Sequence, residues 1–208
     1  MTILAISTSS NICSVALLED ADSILELNIN DSKTHSENLI ALIDELFTKS
    51  NLKLSDVDLI GVDSGPGSFT GIRIGISTVK GLAAPNDIPI VPISSLEALS
   101  YNSAQHKGHI CSLIDARNSQ VYFGLFDSEH QLCTDYIADD INNIMPIINK
   151  YNDVVFVGDG AGVAYHATRA GMETRPYIIQ ITTIFMQKIL VWQHMKNTKK
   201  GFLKQQTA

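Results

Sequence analysis

Residues 57–84, VDLIGVDSGPGSFTGIRIGISTVKGLAA, carry a buried strand into a helix through a turn of glycine and proline. Five of the chain's 13 glycines fall between Gly65 and Gly81. Gly65-Pro66-Gly67 must turn tightly, because glycine accepts a positive φ and proline fixes its own. Ser68 or Thr70 can cap the helix that follows. Gly65, Pro66, Gly67, Ser68, Phe69 and Thr70 therefore read as a structural turn. Such a turn could also cradle a phosphate on backbone N–H groups. The spacing misses both common phosphate patterns, however. GxGxxG needs a glycine where Thr70 stands, and no Gly-Lys-Ser/Thr follows.

Working outward, Met1 to Ser7, Asn11 to Leu18 and Ser23 to Ile29 read as three strands joined by short polar turns. Thr34 opens a helix with the spacing of a capping box (Thr34 to Glu37), and Leu39, Ile40, Ile43, Leu46 and Phe47 recur on one face. Ile88 to Pro92 reads as a short strand and Ser94 to Ser103 as a helix. The second half repeats this order. Strands are expected at His109 to Asp115, Gln120 to Phe126 and Gln131 to Tyr136, then a helix near Asp140 to Tyr151 and a strand at Val154 to Val157. Two mixed α/β lobes follow, residues 1–105 and 106–208, with small molecules expected in a cleft between them.

Composition fits this reading. The chain has 208 residues, 45% apolar and 18% charged, enough to bury a sizeable core. No apolar run approaches a membrane span, and MTILAISTSS lacks the basic start of a signal peptide. Cys13, Cys111 and Cys133 are widely spaced, which suits a reducing cytoplasm and no disulfide framework. All 22 acids lie at or before Glu173, whereas the last 35 residues hold six Lys or Arg and no acid. The acidic body should repel a phosphate backbone, and the basic tail reads as a solvated terminus, with a nucleic-acid contact as the alternative.

Several stretches could carry chemistry. Gly71 and Gly75 share a helical face that admits another backbone, either the chain's own or a partner's. The first hairpin, Ser7-Thr8-Ser9-Ser10, offers hydroxyls but neither a carboxylate nor a glycine, which argues against ATP hydrolysis. Ser7, Thr8, Ser9, Gly158 and Gly160 could still border a nucleotide, or form ordinary turns. Asp115-Ala116-Arg117 could be a polar site or a salt-bridged hairpin. His106 and His109 sit in a loop without a third ligand, so no metal is expected. No HExxH or GxSxG stands in the chain.

GPGSFTGIRIG after a strand, with ISTSS, HSENLIALID, SSLEALS, DAR and GDG in order, resembles the TsaB (YeaZ) family over roughly residues 1–162. The resemblance implies tandem ribonuclease-H-like lobes of the actin, sugar-kinase and heat-shock-chaperone superfamily. It also implies a non-catalytic, cytoplasmic partner of TsaD, which transfers a threonylcarbamoyl group to the tRNA adenosine beside the anticodon. TsaD carries a helical pair of metal-binding histidines, and no such pair stands here. The ATPase TsaE would act on the TsaD pair, and the chain alone would form a homodimer. tRNA would be met only through the complex. No cofactor of its own is implied, with ATP or ADP at the heterodimer boundary as an alternative. The family pairs through N-lobe helices, which points to His35, Leu39, Ile43, Gly71, Arg73, Gly75, Thr78 and Val79 as the interface. After about Gly162 the sequence departs from the family.

Three other readings stand beside this one. A kinase or carbamoyl transferase acting alone needs a metal-binding carboxylate, for which Asp63 and Asp115 are candidates. A metallopeptidase needs a ligand cluster that the sequence does not show. A plain homodimeric interaction protein would bury the same N-lobe helices.

Overall fold

The computed structural model describes residues 2–19, 23–30, 34–168 and 178–179. These fall into two units that divide between Ile93 and Ser94. The division comes earlier than the expected residue 105, because helix α3 (Ser95–Ser100) packs on strands of the second unit. The departure expected after Gly162 lies largely outside the described residues.

The first unit holds β1 (Thr2–Ser7), β2 (Cys13–Glu19), β3 (Ser23–Ile29), α1 (His35–Ser50), β4 (Leu59–Asp63), α2 (Phe69–Ala83) and β5 (Ile90–Ile93). Its sheet runs β3-β2-β1-β4-β5. β1 pairs antiparallel with β2 and parallel with β4, so this central strand is buried along its whole length. That position explains its near-continuous apolar run. At the start of α1, the Glu37 carboxylate accepts from the Thr34 N–H at 3.0 Å and the Thr34 hydroxyl at 2.8 Å. Leu39, Leu42, Ile43 and Leu46 of α1 and Val79 and Ala83 of α2 close one core with Leu4, Ile6, Val15 and Ile60.

The second unit adds β6 (His109–Arg117), β7 (Gln120–Phe126), β8 (Ile137–Asp140), α4 (Ile141–Ile148), β9 (Val154–Val157), α5 (Ala161–Thr168) and β10 (Ile178–Ile179). Its sheet order, β10-β9-β6-β7-β8, is that of the first unit element for element. The repeat of element order is thus a repeat of topology, with β6 central as β1 is. One strand is misplaced by the sequence reading. Gln131 to Tyr136 is mostly exposed loop, meeting β7 at Leu132 and through the Cys133 N–H on the Leu125 carbonyl at 2.7 Å, and the third strand is Ile137–Asp140. The Asp127–Gln131 turn closes on Asp127, whose carboxylate accepts from the Glu129 and Gln131 N–H groups, both at 2.9 Å. The chain then leaves the sheet until Ile137 pairs with Phe123.

This turn is clasped to α3. The His130 ring stacks on Tyr101 with centroids 3.9 Å apart, and its Nδ1 lies 3.2 Å from the Ser100 hydroxyl. That hydroxyl already donates to the Glu97 carbonyl, so Nδ1 must carry the proton. Burial, with a smaller effect of Glu97, pushes the Tyr101 phenol up to about 12. Burial lowers His130 below its ordinary 6.5, against a smaller upward pull from Asp127. The unfolded imidazole therefore takes up its proton first as pH falls. Stability from this clasp is fully present above pH 6.5 and declines below it. We expect the urea midpoint to drop between about pH 7.5 and about pH 5.5 by more in the native chain than in His130→Asn. Asparagine suits the left-handed backbone there, φ 60°. Equal drops would remove His130 from the account.

Candidate functional site

The glycine turn folds back on the first hairpin. Gly65 and Gly67 have φ of 92° and 158°. A Cβ on Gly67 would stand 2.4 Å from the Ser9 carbonyl oxygen, so only glycine fits. The Ser68 N–H donates to that carbonyl at 2.7 Å, and the Ser68 hydroxyl caps α2 by accepting from the Gly71 N–H at 3.2 Å. Ser68, rather than Thr70, is thus the cap. The Ser7 hydroxyl donates to Asp63 Oδ2 at 2.8 Å, the Ser9 hydroxyl donates to the same oxygen, and the Gly65 N–H donates to Oδ1 at 2.9 Å. Asp63 therefore ties hairpin and turn together with both of its oxygens. Ser7, Thr8 and Ser9 are buried. The N–H groups of Ser68 and Gly71, which would face a phosphate at this helix start, are spent on the protein itself.

The same packing revises the interface expected on α1 and α2. A Cβ on Gly71 would fall 1.9 Å from the Thr8 carbonyl oxygen, and one on Gly75 would fall 2.5 Å from the Thr8 hydroxyl. The Thr8 hydroxyl donates to the Gly71 carbonyl at 2.7 Å. The glycine face thus receives the chain's own hairpin, not a partner. Leu39, Ile43 and Val79 are likewise core residues, at 0, 4 and 0% exposure. They point into the first unit's core because the apolar stripe of each helix is what the sheet buries. His35 and Thr78 are half-buried. His35 Nε2 donates to the Ser10 carbonyl at 2.7 Å, while its Nδ1 is buried with no partner among the described residues. Of the eight residues, Arg73 alone is exposed.

The outward side of these helices carries exposed apolar residues, among them Ile40, which the periodicity had placed with the buried stripe of α1. Phe69, at the first turn of α2, is 67% exposed, and the Arg73 guanidinium lies 3.8 Å from its ring centroid. Ile40 on α1 is 55% exposed. An arginine four residues after an aromatic on one helix is the signal that could have found the first pair.

The second unit repeats the latch between hairpin and glycine loop. Asp159 Oδ1 accepts from the Asp115 N–H at 3.0 Å, and the Gly160 N–H donates to the Leu113 carbonyl at 3.1 Å. A Cβ on Gly158 would stand 2.1 Å from that carbonyl. Gly158 and Gly160 therefore serve close packing of the loop on β6. His106 and His109 hold a loop as well: each places one ring nitrogen on a carbonyl, Asp153 at 3.0 Å and Asn152 at 3.1 Å. Among the described residues no helix is long and apolar enough to cross a membrane.

Residues 29–200 match the family model described as TsaD: tRNA N6-adenosine threonylcarbamoyltransferase, a span that continues past Gly162. The tRNA threonylcarbamoyladenosine biosynthesis protein TsaB of Haemophilus influenzae is 39% identical over 59% of this chain and 52% of its own length. Its namesake from Buchnera aphidicola subsp. Schizaphis graminum is 32% identical over 76% of this chain and 78% of its own. The chain spans a little over half of the H. influenzae relative that it matches. Among solved structures, YeaZ from Pseudomonas aeruginosa superposes with a TM-score of 0.78 at 27% identity, covering 95% of this chain and 92% of that one. A Bacteroides thetaiotaomicron protein with an actin-like ATPase fold gives 0.51 at 12% identity over 91% and 95%, a likeness of fold alone.

Proposed function

Because the chain belongs to the TsaB (YeaZ) family, we propose that it is a non-catalytic subunit that binds and activates TsaD. In this reading TsaD transfers the threonylcarbamoyl group to the tRNA adenosine beside the anticodon, and this chain orders the transferase without touching the reacting atoms. The observation that carries the reading is the state of the first hairpin. Thr8 fills the notch above Gly71 and Gly75, and both oxygens of Asp63 are engaged by Ser7, Ser9 and Gly65. A carboxylate held this way serves the loop rather than a metal. A nucleotide, on this account, belongs to the boundary with TsaD. TsaE acts on the pair, and tRNA is met through it.

TsaD would meet the outward side of α1 and α2, where Ile40, Phe69 and Arg73 stand free of the core. The same side would join two copies of this chain when TsaD is absent. Mixing the purified chain with TsaD should yield a heterodimer by size-exclusion chromatography with light scattering, at the expense of any homodimer. A folded chain that stays apart from TsaD would overturn the proposal.

A further inference from the structure

In the turn between β6 and β7, Asn118 and Ser119 adopt the positive φ that a two-residue hairpin loop requires, and Arg117 adds a third left-handed residue that it does not. Arg117, Asn118 and Ser119 all have left-handed backbones, with φ of 71°, 52° and 65°. Asparagine tolerates that region, whereas arginine does not favour it. A ladder irregularity between Asp115 and Arg117 accompanies the turn, and such bulges re-aim side chains. The outcome is an open concavity of about 550 Å³ within the second unit. Asp115, Arg117 and Ser119 line one side, and Ile141 and Val163 supply an apolar wall.

Its two charges are held as an unfinished pair. Arg117 Nη1 lies 3.7 Å from Asp115 Oδ2, too far for a hydrogen bond. Asp115 Oδ1 accepts from the Arg117 N–H at 2.7 Å, which fixes the carboxylate and leaves Oδ2 turned to the concavity's cation. Among the described residues the Arg117 guanidinium has no hydrogen-bond partner, and its side chain is 78% exposed. A carboxylate oxygen beside a guanidinium, close enough to pair but not hydrogen-bonded to each other, is complementary to a ligand with an ammonium and a carboxylate on one carbon. A net-neutral ligand also suits the acidic surroundings, since Asp139, Asp140 and Asp159 stand nearby in sequence or on the latch and would repel a phosphate.

We propose that this concavity binds a free α-amino acid with a short aliphatic or hydroxylated side chain. Arg117 takes the α-carboxylate in its fork, Asp115 Oδ2 takes the α-ammonium, and the side chain rests on Ile141 and Val163. The site is built from residues of the second unit alone, whereas α1 and α2 belong to the first, so its test does not require pairing with TsaD.

Saturation-transfer NMR on the full chain, with L-valine and L-threonine as probes, tests this. Saturable transfer is expected for both. N-acetyl-L-valine amide, which keeps the side chain but lacks both charges, should bind at least about tenfold more weakly. Asp115→Asn preserves the oxygen that the Arg117 N–H needs, and Arg117→Asn suits the left-handed backbone. Each should weaken the free amino acid by about tenfold or more, with the circular dichroism spectrum unchanged. No saturable transfer at about 50 mM amino acid, or equal binding of the blocked analogue, would overturn the proposal. Preferential binding of inorganic phosphate or adenosine, run as separate probes, would overturn it as well. Should a variant fail to fold, the comparison of free with blocked ligand on the native chain still decides.

Discussion

Gly71→Ala is expected to destabilise the first unit by about 3 kcal/mol or more. The added methyl would sit 1.9 Å from the Thr8 carbonyl oxygen, a backbone atom held on both sides. Thr8 is 1% exposed, and its hydroxyl is bonded to the Gly71 carbonyl, so the hairpin cannot retreat without breaking that bond. Moving α2 instead would open the core at Val79 and Ala83. The Gly75→Leu change, which the partner reading of this face predicts to be silent for folding, should also be disruptive. Its Cβ would meet the Thr8 hydroxyl at 2.5 Å. As a control, Gly81→Ala meets nothing within 4 Å and should stabilise α2 slightly through helix propensity. Urea unfolding of the three variants checks the order. A Gly71→Ala chain as stable as the native one would mean that the glycine face is open after all.

The second large effect is on association rather than on folding. Phe69→Asp should weaken pairing with TsaD by about 30-fold or more, the loss expected of an aromatic anchor worth about 2 kcal/mol. The same change should leave stability within about 0.5 kcal/mol, because the ring is 67% exposed. An aspartate in the first turn of α2 even favours the helix electrostatically. The Arg73 guanidinium loses its ring in this variant, so Arg73→Ala should show a smaller loss of the same kind. Titration calorimetry of each variant against TsaD gives the comparison. Unchanged affinity with Phe69→Asp would move the interface elsewhere on the chain.

Much of the fold was legible because the hydrophobic pattern answers a local question. β1 and β4 are central strands and read as apolar runs, and α1 shows its stripe and its Thr34–Glu37 start. The order of elements in the two halves was enough to expect their common topology. β8 was missed because Ile-Ala-Asp-Asp at a sheet edge has one paired side and carries two carboxylates. Gln131 to Tyr136 has the alternation of a strand but no partner along most of its length. The glycine face failed for a different reason. A stripe of small residues records that some backbone comes close, not whose backbone it is. Thr8 lies 63 residues before Gly71, and nothing in either segment alone links them. The apolar stripes of α1 and α2 carry a related lesson: Leu39, Ile43 and Val79 mark the side facing the sheet, so the residues left for a partner are those outside the stripe.

In the proposed role this chain activates a transferase without being one. The most direct measurement is threonylcarbamoylation of tRNA by purified TsaD and TsaE, with the donor supplied, in the presence and absence of this chain. The account predicts modified adenosine only when the chain is added, and none from the chain with donor and tRNA alone. Equal product without the chain, or product from the chain by itself, would contradict it.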